Sequence, residues 1–277
     1  MLMKLRGLAM SQTDQKPYIS PSQVFMYTRC GEAYRRRYIE KHKIPPGIAM
    51  TKGISVHKGA EFNFKAKIQS KKDKPVGDIV DVAVSAFEGQ VANEGLSLNA
   101  EEESIGKKMV VGKAKDSTAK MASVLMTGVA HKYQPVTVEE MVTVPLETSS
   151  HNLRGVIDLE VEGGALVDLK TSAKSWSQDR VDKSIQLPFY GMMKRALTGS
   201  DPSKVIVENI IDGSKTSVKT FERVVGMDDY LPIIRRLNRV LEGINAKIYT
   251  PAKDDAWWCS AAYCGYFNSC EFVRGGK

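Results

Sequence analysis

Two short segments carry side chains whose types and spacing could do chemistry. They are Arg154-Gly155-Val156-Ile157-Asp158 and Val167-Asp168-Leu169-Lys170, joined through Glu162-Gly163-Gly164. Both read as β-strands flanking a glycine-rich turn. Side chains alternate along a strand, so Asp168 and Lys170 share a face. The register decides whether Asp158 joins them. A two-residue turn at Gly163-Gly164 would set Asp158 against Leu169 and turn it away. A three-residue loop, Glu162 to Gly164, sets Val161 against Ala165, Leu159 against Val167 and Asp158 against Asp168. The second register gathers Ile157, Leu159, Val161, Val167 and Leu169 on one face. Asp158, Glu160, Asp168 and Lys170 then share the other. Three-residue hairpin loops commonly place glycine at a left-handed position, so turn chemistry and apolar pattern agree.

Two carboxylates beside a lysine can hold Mg²⁺ through hard oxygen ligands and leave waters on the ion. Such an ion acidifies a bound water and polarises a phosphoryl oxygen, while the lysine orients the water or stabilises developing charge. Paired carboxylates also serve general acid/base work, as in glycosidases. The adjacent lysine and the basic charge of the chain make that less attractive. A lone D-x-K is common and would be a polar sheet surface; the paired strands in register give it weight.

The elements that must position these residues follow from periodicity. Ser20-Pro21-Ser22 reads as a helix start, with a helix to about Lys41 before Pro45-Pro46-Gly47. A second helix starts near Gly53 and carries His57 and Glu61. Asp78 to Val91 and Ala100 to His131 read as helices. From Pro135 the texture changes. Strands are expected at Val136–Leu146, Leu153–Val161 and Ala165–Lys170, a helix at Val181–Leu197, and a strand pair, Lys204–Ile211 and Thr216–Val225, across Asp212-Gly213-Ser214. Tyr230–Lys247 is an amphipathic helix. The order implies a mixed α/β core with a helical N-terminal extension. Residues 1–17 are expected to be disordered. Residues 18–277 then form one domain: 18–134 helical, 135–250 the α/β core and 251–277 a cysteine-rich segment.

The 277 residues carry 40 basic and 32 acidic side chains, a net charge of +8. That surplus favours phosphate-rich partners. It is dense around Arg35, Arg36 and Arg37, the candidate nucleic-acid contacts, and around Lys65, Lys67, Lys71, Lys72 and Lys74. No apolar run is long enough to span a membrane, and Met1 to Met10 lacks the apolar stretch of a signal peptide. A cytoplasmic protein is expected. No G-x-x-x-x-G-K-[ST] occurs, which excludes an ATP-driven helicase of that type.

Further residues fall in a fixed order around the acidic hairpin. Gly53-Ile54-Ser55-Val56-His57 precedes it and Gln186-Leu187-Pro188-Phe189-Tyr190 follows it. His57 and Glu61 are four apart, as are Gln186 and Tyr190, so each pair shares a helix face. Pro188 should set Gln186 near a helix start. With Asp158 and Asp168-x-Lys170, this ordered set resembles the PD-(D/E)xK nuclease superfamily, specifically its RecB-like branch, over residues 20–270. The resemblance implies a restriction-endonuclease-like mixed sheet flanked by helices. It implies His57 as a ligand, with Asp158, Asp168 and the Leu169 carbonyl, to Mg²⁺ or Mn²⁺. Gln186 and Tyr190 would line the active-site side of their helix.

Four cysteines remain: Cys30 near one end, and Cys259, Cys264 and Cys270 near the other. One early and three late cysteines resemble the iron–sulfur members of the RecB-like branch, among them the CRISPR-associated RecB-like nuclease and the AddB nuclease domain. There a [4Fe–4S] cluster clamps the C-terminus to the N-terminal helix. The spacing departs from the family, C-x4-C-x5-C here in place of C-x2-C-x5-C. Zinc and unligated thiols remain open. Trp257, Trp258, Tyr263, Tyr266 and Phe267 are expected to shield the site.

The expected activity is a metal-dependent deoxyribonuclease, an exonuclease of recombination, repair or phage DNA processing. A catalytically silent DNA-binding subunit and a site-specific endonuclease are the alternatives. The resemblance leaves room for a recombination or helicase partner and for a homo-oligomer.

Overall fold

A computed structural model describes residues 16–273 except Thr148; the N-terminal segment read as disordered lies almost wholly outside these residues. In chain order the elements are β1 (Tyr18–Ile19), α1 (Pro21–Arg29), α2 (Gly31–Tyr34), a π-helical turn (Arg35–Ile39), α3 (Ile48–Ser70), α4 (Val76–Asn93), α5 (Ala100–Ile105) and α6 (Lys107–Gly128). Then come β2 (Pro135–Val144), β3 (Asn152–Val161), β4 (Leu166–Ser172), α7 (Gln178–Asp182), α8 (Gln186–Thr198), β5 (Val205–Ile211), β6 (Ser217–Arg223) and α9 (Met227–Asn245). No described helix is long and apolar enough to cross a membrane.

The six strands form one mixed sheet with helices on both faces. β3, β4, β5 and β6 run side by side, antiparallel except for β4 with β5. β5 lies between β4 and β6 with nearly every side chain buried, as its near-continuous apolar run requires. One core packs Val56, Phe64, Met121 and Leu125 of α3 and α6 onto Leu159, Val167 and Leu169. The other packs Val24, Phe189, Met193, Leu237 and Leu241 of α1, α8 and α9 onto Leu153, Ile157 and Leu166.

Three expectations need correction. First, the helix from Pro21 is broken at Cys30, whose extended backbone ends α1 and whose Sγ accepts the Ala33 N–H at 3.4 Å, capping α2. The neighbouring glycine explains the break. The Gly31 N–H donates to the Thr250 carbonyl at 2.7 Å, and a Cβ there would meet the Thr250 nitrogen at 2.8 Å. Second, Gly106, with φ 93°, separates α5 from α6 where one helix is expected. Third, Ile157 does not share a face with Leu159 and Val161. It packs with Leu153 on the α8 side, whereas Leu159 and Val161 pack on the α3 side. The reversal coincides with Glu139 of β2, a non-glycine residue at φ 49°. There the ladder passes from Val138–Leu159 to Glu140–Ile157, and the left-handed residue turns the strand pair over.

The consequence is a wedge. One edge of β3 pairs with β2 from Leu153 to Val161. Its other edge meets β1 at Asn152–Leu153 and β4 at Leu159–Glu160. Between those contacts β3 and β4 splay apart, and Asp158 stands at the point where they part.

Candidate active site

The hairpin has the three-residue register. Leu159 pairs with Val167, the Val161 N–H donates to the Ala165 carbonyl at 3.0 Å, and Gly163 and Gly164 take φ 85° and 75°. Past Leu159 the carboxylate of Asp158 replaces the missing ladder, its Oδ2 accepting the Leu169 N–H at 2.7 Å. Both acidic residues are thereby fixed by backbone geometry on adjacent strands.

α3 brings His57 to the same place. Gly53 lies so close to β4 that a Cβ would meet Thr171 Oγ1 at 2.8 Å, so glycine permits the approach. One turn later, His57 Nε2 lies 2.9 Å from the Leu169 carbonyl oxygen. Its Nδ1 is 3.4 Å from Glu139 Oε1 and 3.8 Å from Asp158 Oδ2. One ligand atom from each of His57, Glu139 and Asp158 falls within 4.8 Å of the others, a candidate acidic metal site. Burial opposes charge on His57, but Asp158 and Glu139 outweigh it and push the imidazole up to about 9. In its charged form the ring donates from Nε2 to the Leu169 carbonyl and from Nδ1 towards Glu139.

Asp168 is buried, close enough to Tyr190 of α8 to act on its phenol. Its Oδ1 accepts from Lys170 Nζ at 2.7 Å, and its Oδ2 is buried with no hydrogen-bond partner. Burial raises the Asp168 carboxyl, only partly offset by Lys170. Burial alone would lower Lys170, but Asp168 and Asp158 reverse that and hold it charged. A buried carboxylate oxygen without a donor is costly. A cation beside it would remove that cost, and the donor set of carboxylates, carbonyl and imidazole suits Mg²⁺ or Mn²⁺.

α8 begins at Gln186, as Pro188 requires. Gln186 Nε2 donates to Tyr190 Oη at 2.8 Å. Tyr190 packs over Gly155, where a Cβ would lie 3.2 Å from its ring. Burial, with Asp168 adding to it, pushes the phenol up to about 12, so Tyr190 stays a neutral wall beside the carboxylates. Glu61, by contrast, pairs with Lys58 and Lys65, each at 2.6 Å. Glu139 is the residue that sequence reasoning missed. The only trace of it is the Glu139-Glu140 pair within an otherwise β-branched strand.

The arginines expected to contact nucleic acid sit elsewhere. Buried Glu32 accepts from Arg35 and from Arg36, each at 2.7 Å. Arg35 also pairs with Glu40, and Arg36 grips the Ser269 hydroxyl and carbonyl at 3.0 Å. Arg37 lies over the Tyr38 ring at 5.8 Å. Arg35 and Arg36 therefore tie the late segment to α2 and are not free cations. Lys67 is likewise buried, on Asp73 and the Ala130 carbonyl.

Cys30, Cys259, Cys264 and Cys270 line one cavity of about 390 Å³. Burial and neighbouring thiols raise Cys259 and Cys264. The aromatic shield is incomplete. Tyr266 donates to the His42 carbonyl at 2.6 Å, but Trp257 and Tyr263 are 66% and 67% exposed.

No curated protein gives a significant match to the chain. Among solved structures it is similar to a candidate exonuclease from Eubacterium rectale. Identity there is 16%, with a TM-score of 0.48, over 90% of this chain and 89% of that one. It is also similar to the protein SSO0001, at 17% identity and a TM-score of 0.37, over 77% of this chain and 96% of that one. A family model described as the PD-(D/E)XK nuclease superfamily matches residues 18–271. With that match, and a mixed sheet flanked by helices as its restriction-endonuclease-like fold has, the chain belongs to the PD-(D/E)XK nuclease superfamily.

Proposed function

We propose that this protein is a Mg²⁺- or Mn²⁺-dependent deoxyribonuclease of the RecB-like branch, acting as an exonuclease in recombination, repair or phage DNA processing. The observation that carries this reading is the orphaned Asp168 Oδ2, buried next to Lys170. Asp158, Asp168, His57 and the Leu169 carbonyl would hold the ion, with Glu139 within reach. When bound, the ion supplies an acidified water and a Lewis acid for the phosphoryl oxygen. Lys170, charged and held by Asp168, faces the attacking water and the phosphate oxygens that gain charge. Asp158 locks the Leu169 backbone, which aims its carbonyl. Gln186 and Tyr190 close the α8 side and restrict water there.

The same reading takes residues 18–277 as one nuclease domain and gives Cys30, Cys259, Cys264 and Cys270 a [4Fe–4S] cluster that joins the chain ends. What supports a shared group is that all four thiols line one cavity; zinc is the rival occupant. A cytoplasmic site of action and a helicase or recombination partner accompany this reading.

The test is to strip the protein with chelator, restore Mg²⁺ or Mn²⁺, and supply end-labelled linear, circular and single-stranded DNA. An exonuclease degrades linear DNA and spares circles. Cutting of circles would convert the reading to an endonuclease. No cleavage with either ion would favour a silent DNA-binding subunit.

A further inference from the structure

The late segment presents an aromatic and cationic surface that the metal site does not use. Trp257 and Tyr263 are two-thirds exposed, although each could bury over 150 Å² of apolar area. Their rings meet edge to face, with centroids 5.0 Å apart, and two-thirds of each residue's surface stays open to solvent. Arg29, at the end of α1, packs against the two adjacent tryptophans. Its guanidinium lies 5.5 Å from the Trp257 ring and 4.9 Å from the Trp258 ring. Arg29 also lines a second pocket of about 320 Å³, with Arg236, Arg239, Tyr27, Thr28 and Thr250 among its walls. Three guanidiniums and no carboxylate line that pocket. Arg239 has an exposed partner in Glu242, at 2.8 Å, whereas Arg236 has no ion pair among the described residues.

We infer that this surface binds a single-stranded segment of nucleic acid, with bases on Trp257 and Tyr263 and backbone phosphates on Arg29, Arg236 and Arg239. The inference rests on the nuclease reading above and adds a second contact outside the metal site. Charge complementarity selects the occupant: a pocket walled by arginines suits phosphates. Exposed aromatic faces suit unpaired bases, whereas bases inside a duplex offer no free face. Stacking of this kind tolerates any base, which fits a contact that guides a strand without reading its sequence.

The experiment is fluorescence anisotropy with a 20-nucleotide oligothymidylate and a blunt 20-base-pair duplex, both in EDTA to prevent cleavage. It compares the wild type with Trp257→Ala/Tyr263→Ala and with Arg236→Glu/Arg239→Glu. The second pair lies exposed on α9 and remains informative if the aromatic variant is poorly folded by circular dichroism. Stacking is worth about 1–3 kcal/mol per base, so the aromatic variant should lose roughly tenfold or more in oligothymidylate affinity. The duplex should change less than about twofold, and the arginine variant should flatten the salt dependence. Quenching of tryptophan fluorescence by oligothymidylate should disappear in Trp257→Ala. Unchanged oligothymidylate binding in both variants, from a wild type that binds and cleaves DNA, would overturn this inference and leave the nuclease reading intact. Variants that bind DNA normally but dissociate a wild-type dimer would reassign the surface to protein contact. A wild type that neither binds nor cleaves DNA would overturn both readings.

Discussion

The wedge between β3 and β4 and the cysteine segment at the chain end are built in opposite ways. The wedge is held by strand pairing on both sides, by the Asp158 to Leu169 N–H bond and by α3 pressed against β4 at Gly53. Its residues are fixed by strand pairing and helix packing. Residues 251–273 contain one short 3₁₀ turn, and a few long-range contacts attach the late segment. Among these are Gly31 to Thr250, Arg36 to Ser269, Tyr266 to His42, Tyr27 to Ile248, and Arg29 against Trp257 and Trp258. The difference teaches where a metal matters for what. On the reading proposed above, an ion at the wedge would serve chemistry, and a group held by the four cysteines would serve cohesion.

The largest effect that sharpens this contrast is expected at Lys170. Lys170→Ala should lower turnover by about 10²- to 10³-fold or more, with DNA affinity nearly kept because many phosphate contacts supply it. Single-turnover cleavage beside a binding isotherm would check this, and equal losses in both would break it.

Next comes Cys264→Ser. If thiol ligation closes a loop of more than two hundred residues, losing that ligation should cost about 5 kcal/mol, or about 10 °C or more in Tm. Amide exchange should rise in residues 251–273 and around α2, but not in β3 and β4. Uniform exchange across the chain would show that the two regions are not separable.

Gly31→Ala tests the same attachment without touching a thiol. The added Cβ meets the Thr250 backbone, and an overpacked contact costs about 1–3 kcal/mol. If the cysteines hold the proposed cluster, brown colour and iron content should fall with little change in the metal affinity of the wedge.

The smallest effect concerns pH. Asp158 and Glu139 push His57 up to about 9, and burial raises Asp168. Both must lose their protons to bind an ion, so binding releases protons and affinity rises with pH. Below about pH 9 the His57 proton alone should give about tenfold per pH unit. Calorimetry with Mn²⁺ between pH 6.5 and 8.5 would measure it, and His57→Gln should flatten the slope.

Much of the wedge was legible in the sequence because strand side chains alternate. Period two, together with a loop that ends in Gly163-Gly164, leaves one register that puts Asp158 beside Asp168, and Gly53 and Pro188 mark where helices start or press close. Four features were not legible. Glu139 depends on how β2 aligns with β3, and residues 145–151 between them carry no turn signal that fixes it. The turning-over at Asp158 arises from a left-handed glutamate, which no propensity favours. Arg35 and Arg36 look like free cations in one dimension, and only the fold brings Glu32 and Ser269 onto them. β1 was missed because two residues carry no periodicity.

The most direct test of the central claim is Mn²⁺ anomalous diffraction from crystals of the wild-type protein. The account expects a peak in the wedge, bonded to carboxylate oxygens of both Asp158 and Asp168, to the Leu169 carbonyl and to His57. Occupancy should be lost in Asp168→Asn. A fully occupied Mn²⁺ site that leaves Asp168 unligated, or a wedge that stays empty at saturating Mn²⁺, would contradict it.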